Sequence, residues 1–510
     1  MLWLENWRKI LMNSPYSPNA TTNTARGFAA RYYTDINARV SSHLDKSQSD
    51  SSRLYYDTSV AHMIVESLTS YVVGPGLVPT ASPERTLVDW TEDERKRFCT
   101  QAEAYWRLFT NSTEIDYYGK SSFKTLQKIA FRNILLKGDV LRHMFYKNKK
   151  NGYKPCIQLL SGQWVKNPKM KLDDKNMVGG VALDDRGIET GYYIAKTNDQ
   201  RLDTYDVEFV SRFNRAGLKE YDLVKLNASE SNQIRGIPLL APCRDDILNL
   251  QVAKTNHITK FIVEAILTAF ITTPEDKTAG TETLNAIKSL GVQSQEAMED
   301  YGDEDLELLP GNVIKLQPGE NVTSIQNSQS SMEYGTLEKN LLTTIGGAVG
   351  VPYEMLIKQY GSSYSASRAT IMSASKHFAE LRQEFAEKFC NDFYEMVIDY
   401  GIRMGLIDAP GYLDGSEGYR KAILAVTWIG PTPVIMDPVK EANAQMLMVQ
   451  SNLTTKEKAV RDLSGMDFEE VIERRAYETA TEEAYGFGMP SNEPSKDTNK
   501  DDKEDKDGES

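Results

Sequence analysis

Between Ser365 and Tyr400 the apolar positions Ile371, Ala374, Phe378, Leu381, Phe385, Phe389 and Phe393 step by three and four, the spacing of one face of a long α-helix. At 1.5 Å per residue that helix runs about 54 Å. Compact domains rarely hold helices of this length, so the spacing predicts a strut within an assembly. A second segment adds to this constraint. Phe261-Ile-Val-Glu-Ala-Ile-Leu-Thr-Ala-Phe-Ile271 reads as the apolar half of a helix, hydrophobic almost all round, and must be covered on every side. It is too short to span a bilayer. In a chain of 510 residues with only 40% hydrophobic side chains, 26 of its residues tyrosine, neighbouring copies are a natural cover.

The charge balance, 59 basic against 72 acidic residues for a net −13, speaks against a protein that grips nucleic acid by neutralising phosphates. It allows one that lets nucleic acid pass. Cys99, Cys156, Cys243 and Cys390 lie too far apart for a zinc spacing and read as reduced thiols. The amphipathic run Met1 to Met12 is interrupted by Glu5, Arg8 and Lys9, too early for a signal peptide, and no membrane segment is expected.

Along the chain, residues 1–56 read as an N-terminal arm or loosely packed lead-in. Helices are expected from a candidate Asp57 cap to Gly74-Pro75-Gly76, over about 92–110 and over about 121–137, the last stopped by Gly138. Residues 139–230 are strand-rich, with Asp184-Asp185-Arg186-Gly187 as a hairpin turn. A long helix is expected to open at Ile237-Pro-Leu-Leu-Ala-Pro242 and run to about 271. A polar insertion follows, with the acidic block Glu299, Asp300, Asp303, Glu304, Asp305 and Glu307 and a strand-like Gly311 to Gly319. A helix over about 335–349 (Leu337, Leu341, Leu342, Ile345, Val349), a loop from Gly350 to Tyr364, the long helix and two or three short helices between 438 and 485 complete the chain. Residues 491–510 carry no aliphatic or aromatic side chain and read as a disordered acidic tail.

Three catalytic signatures fall short. Gly119-Lys120-Ser121 ends like a phosphate-binding loop, but position 114 is Glu where glycine is required. Ser373-Ala-Ser-Lys376 matches a penicillin-recognising S-x-x-K without its partner motifs. His62 and Glu66 share a helix face, yet two ligands make no metal site. The sequence reading is a non-enzyme without metal or cofactor.

The order of these parts resembles the portal proteins of tailed bacteriophages, above all the lambda-type family. The carrying residues are Tyr71-Val-Val-Gly-Pro-Gly76 with Leu77, Gly138-Asp-Val140, Arg235-Gly-Ile-Pro-Leu-Leu240, Leu309-Pro-Gly311, Leu316-Gln-Pro-Gly-Glu320, Gly350-Val-Pro-Tyr-Glu354, Tyr364-Ser-Ala-Ser-Arg-Ala369, Ile429-Gly-Pro431 and Asp437-Pro-Val-Lys-Glu-Ala442. The arginine-rich lead-in usual before the first helix is reduced to Ser51-Ser-Arg-Leu-Tyr-Tyr56.

The resemblance implies an α+β portal fold assembled as a ring, usually a dodecamer, at one capsid vertex, made in the host cytoplasm and carried in the virion. It implies an arm (1–56), an α+β wing (57–237), a first stem helix (238–272), a clip (273–333), a second stem helix (334–349), a tunnel-facing loop (350–364), a long wing helix (365–405), a helical crown (406–490) and the tail. Double-stranded DNA would pass Lys358, Gln359 and Tyr360 on the loop and Lys254 and Lys260 on the stem. Phe261, Ile262, Ile266 and Phe270 would pack subunits together. Glu299, Asp300, Asp303, Glu304 and Asp305 would dock the terminase large subunit and later a head-tail adaptor, and major capsid and scaffold proteins would be further partners. The competing readings are a nucleotide- or acyl-processing enzyme built on the N-terminal domain and a non-viral oligomeric scaffold.

Overall fold

The computed structural model describes residues 35–485 except 150–151, 169–170, 199–200, 267–269, 272–293, 296–312, 316–329, 361–363, 433–436 and 467. The chain divides into two compact units, Met1–Pro431 and Thr432–Ser510. The first mixes helices with small sheets and the second is helical.

The expected loose lead-in is helical from residue 36. Helices α1 (Ile36–Ser41) and α2 (Leu44–Asp57) precede α3 (Ser59–Val72). The buried face of α2 is Leu44, Ser47, Gln48, Ser51 and Leu54, so helical spacing is present but written mostly in polar residues. Gln48 Nε2 donates to Lys137 O at 2.8 Å. The cap of α3 is Thr58 instead of Asp57, since its hydroxyl donates to Leu54 O at 2.8 Å and accepts from Ala61 N at 3.4 Å, closing one helix and opening the next. Helix α3 ends where Gly74 (φ +56°) and Gly76 (φ +120°) take left-handed turns.

Strand β1 (Val78–Ala81) leads to α4 (Glu92–Asn111), which begins with a Thr91/Glu94 capping box. Helix α5 (Phe123–Lys137) stops at Gly138, φ +86°. Two antiparallel sheets follow. One orders β3 (Gly152–Ser161), β2 (Asp139–Lys149) and β8 (Tyr221–Lys225). The other runs β4 (Met177–Val178), β5 (Val181–Leu183), β6 (Glu189–Asn198) and β7 (Arg201–Ser211). The Asp184 turn forms as expected, its Oδ1 accepting from Arg186 N and Ile188 N at 2.8 Å each.

The next helix departs from expectation at both ends. Helix α6 spans Arg244–Ile266. Pro238 and Pro242 bias the residues before them away from helix, and 240–243 form turns. Phe270 and Ile271, aromatic and β-branched, form β9 (Phe270–Ile271), so Phe270 is a strand residue and the helix does not reach 271. Strands β10 (Ser294–Gln295) and β11 (Val313–Lys315) complete a parallel set ordered β10-β11-β9. Helix α7 (Ser330–Val349) starts earlier than expected. The expected loop after it contains helix α8 (Tyr353–Ile357).

The long helix is real but interrupted: α9 (Tyr364–Phe385), a π turn (Ala386–Cys390) and α10 (Asn391–Arg403) run on without a loop. Its whole predicted stripe, Ile371 to Phe393, is buried. Against Phe389 and Phe393 stack Phe123 and Trp106, and Trp106 also meets Trp428 edge-on at 5.8 Å. Each such ring contributes about 1.5–3 kcal/mol through its burial. Trp428 lies on β12 (Val426–Ile429), which follows α11 (Glu417–Ile423) and pairs antiparallel with β1. Residues 406–431 therefore belong to the first unit, and the second begins at 432. There α12 (Pro438–Gln450), α13 (Lys456–Ser464) and α14 (Phe468–Ala484) are the short helices expected, and Ala459 is their one buried residue among those described. The tail at 491–510 lies outside the described residues. No helix among those described is long and apolar enough to cross a membrane.

Candidate functional site

Helices α6 and α7 pack side by side in opposite directions. His257 stacks on Tyr334 at 4.2 Å, while Ile247 and Leu250 at the start of α6 share a cavity of about 200 Å³ with Glu338 and Leu342, further along α7. Leu250, Leu342 and Ile345 bury the shared face. Further along the pair, Ile258, Phe261 and Leu337 stand about half exposed among the described residues. Ile262 and Ile266 lie on the last turns of α6, their side chains outside the described set. Lys254 is exposed and Lys260 half-buried on the same helix.

The turn leaving α7 is built by glycine. Val351 N donates to Gly346 O at 2.9 Å, and a Cβ on Gly346 would collide with Val351 O. Gly350, at φ +73°, lies against the His377 ring of α9, where a Cβ would also collide. Val351, Met355 and Leu356 anchor the segment in the core. Lys358 then ends α8 in the left-handed region at φ +55°, with Gln359 N donating to Glu354 O at 3.1 Å. Lys358, Gln359 and Tyr360 are all exposed, so the structure brings these three expected residues together on one solvent-facing turn. Residues 361–363 lie outside the described residues.

Two charged centres support this arrangement from within. Arg235 and Asp139 are fully buried and bidentate, Nε to Oδ2 at 2.7 Å and Nη2 to Oδ1 at 3.0 Å. Arg235 also donates to Gly162 O and Val165 O, and Gly236 N donates to Asp139 Oδ2. Gly138 and Gly236 touch backbone to backbone, leaving no room for a side chain. The motifs Gly138-Asp-Val140 and Arg235-Gly-Ile237 are thus the two halves of one knot.

The second centre is Arg142 of β2. It donates to Phe389 O at 2.6 Å and Lys388 O at 3.3 Å within the π turn, and pairs with Asp222 and Asp392. Widening the helix frees carbonyls from their usual partners, and Arg142 takes them. Burial pushes the Asp392 carboxyl up, but Arg142 and Lys219 more than offset this and hold it below the usual range. Burial and the Asp392 charge push Glu395 up. Sequence reasoning quoted the glycine motifs without their pairing and missed Arg142 altogether.

The tempting motifs have ordinary explanations. Amides of Tyr118, Lys120 and Ser121 all donate to the Asp116 carboxylate at 3.0–3.2 Å, which occupies the place a phosphate would need. Ser373 and Lys376 are exposed on α9. His62 stacks on Tyr55, and Glu66 binds Arg132 through both oxygens at 2.7 and 2.8 Å. Among the described residues no group of three or more His, Cys, Asp or Glu could hold a metal ion. Glu299, Asp300, Asp303, Glu304 and Asp305 lie outside the described residues.

The chain is 22% identical over 416 residues to portal protein B of Escherichia phage lambda, covering 78% of this chain and 77% of that protein. It is 21% identical over 432 residues to the portal protein of Escherichia phage N15, covering 82% and 81%. Among solved structures it is similar to a chain in the neck of an empty GTA particle computed with C6 symmetry (TM-score 0.36, 14% identity, 74% of this chain and 94% of that one). It is also similar to one in the neck of the native GTA particle computed with C12 symmetry (TM-score 0.36, 11% identity, 81% and 92%). The family model described as phage portal protein, lambda family, matches residues 23–382, well over half of the chain, and the chain therefore belongs to the lambda family of phage portal proteins.

Proposed function

We propose that twelve copies of this chain close into a ring at one capsid vertex, with α6 and α7 as the stem and a central channel for double-stranded DNA during packaging and ejection. The observation that carries this reading is the half-exposed trio Ile258, Phe261 and Leu337 on the helix pair. Covering the exposed half of each contributes roughly 1 kcal/mol, about half the value for full burial, and a neighbouring copy supplies the cover. Phe261→Asp combined with Ile258→Asp is expected to leave monomers or small aggregates in light scattering and negative-stain images. Rings with a central hole that survive both changes would refute the packing.

In this reading the turn at Lys358, Gln359 and Tyr360 borders the channel. Lysine meets phosphate and the other two hydrogen-bond to backbone oxygens without reading sequence, assisted by Lys254 and Lys260 lower on the stem. Weak contacts suit a conduit in a chain of net charge −13, since a tight grip would stall passage. Lys358→Ala should keep rings intact and change packaging efficiency. Residues 299–305 present the docking surface for the terminase motor and the adaptor; deleting 296–306 should spare the ring and abolish packaging. The chain itself works as structure, and purified rings should turn over no ATP.

A further inference from the structure

The β2–β3 hairpin outruns its sheet. Strand β8 pairs with β2 only from Asp139↔Lys225 to His143↔Tyr221, and Met144 N makes one more bond, to Glu220 O at 2.8 Å. From Phe145 to Lys149, β2 has β3 on one side and, among the described residues, no strand on the other. An open antiparallel edge presents main-chain N–H and C=O groups toward that side at every second residue. The hairpin is also basic. Lys147, Lys149 and Lys154 lie on its strands, within a chain of net charge −13.

Lys147 and Lys154 are directly opposed across the ladder, a placement that like charges disfavour unless a counter-charge meets them. Lys154 reaches Glu114 at 3.2 Å. Lys147 donates to Tyr117 O at 3.0 Å and lies 4.8 Å from the centre of that ring, and among the described residues no carboxylate pairs with it.

We propose that the open edge of β2 from Phe145 to Lys149 docks an extended acidic segment of a partner protein, which adds to the sheet as a further strand. The ladder supplies affinity and the alternating side chains supply selectivity. On the face of Phe145 and Lys147 an incoming Asp or Glu meets lysine. On the other face an apolar side chain meets Tyr146, exposed there together with Tyr153.

Nucleic acid fits less well. Base stacking needs free ring faces, whereas Tyr221, His143 and Phe145 already stack on one another at 4.0 and 4.4 Å. Tyr117 closes edge-on against Tyr118 at 5.0 Å.

The test uses the full chain and a fluorescent peptide of about ten residues alternating glutamate and valine, read by anisotropy. Saturable binding is expected, weakened about tenfold or more by Lys147→Glu with Lys149→Glu, as for loss of a close charge pair. It should also be lost when alternate peptide nitrogens are methylated. Lys376→Glu with Lys456→Glu makes the same charge change elsewhere and should leave binding intact; circular dichroism checks that each variant is folded. No saturable binding, equal weakening by the distant pair, or undiminished binding of the methylated peptide would each overturn the proposal. Displacement of the peptide by a tighter-binding single-stranded DNA would overturn it in favour of a nucleic-acid site.

Discussion

Asp139 and Arg235 are the most consequential pair in the first unit because neither reaches water. Removing one partner strands the other's charge, at a cost of about 3–5 kcal/mol. Arg235→Met should therefore lower the urea midpoint sharply, and adding Asp139→Asn should recover part of the loss. Lys137 gives a subtler signal. Its ammonium donates to the Ser52 hydroxyl and to Gln48 O, with no carboxylate in contact among the described residues, and burial pushes its pKa down to about 8. The unfolded chain then binds the extra proton between pH 8 and about 10.4. Below pH 8 the folded state bears the full penalty of the buried charge, and the penalty fades as pH rises through that window. The stability advantage of Lys137→Met over the natural chain should shrink from pH 7.5 to pH 10 in matched denaturant titrations; a constant gap would contradict it. The glycines beside Asp139 and Arg235 were visible as motifs in the sequence. Their pairing was not, since the partners stand 96 positions apart and nothing local selects one acid among many.

Elements were legible in proportion to how far hydrophobicity writes them. The stripe from Ile371 to Phe393 declared its helix; α2 did not, because Ser47, Gln48 and Ser51 fill its buried face. The π turn left a faint trace. Leu381, Phe385, Phe389 and Phe393 step by four three times running, more than the 3.6-residue period allows, and the wider turn takes up the surplus. Arg142 holds that turn from the sheet. Arg142→Met should speed amide exchange around residues 388–392 about ten- to hundredfold, corresponding to the roughly 1.5–3 kcal/mol of a hydrogen bond to a charged group. Unchanged exchange would mean the widening persists on helix packing alone. The expected cap at Asp57 and the expected helix start near 238 failed for related local reasons: a threonine one residue on makes the better bonds, and two prolines delay the helix.

For the whole molecule, the order of helices and strands was readable and several of their bounds were not. Residues 406–431 fold back onto the first unit through a strand pairing that no local pattern announces. Deleting 432–510 should leave the first unit melting cooperatively at nearly its natural temperature. The fragment 432–510 alone, with so little buried, should show a broad and shallow helix transition by circular dichroism. The β1–β12 pairing also bears on synthesis. Val78 leaves the ribosome about 350 residues ahead of its partner Ile429, and at about 5–20 residues per second this strand waits roughly 20–70 seconds with nothing to pair with. During that interval the nascent chain carries an unguarded sticky edge. Many copies of the chain translated side by side on one polysome would then run a risk of mispairing that a chain already released, with the pairing complete, no longer bears.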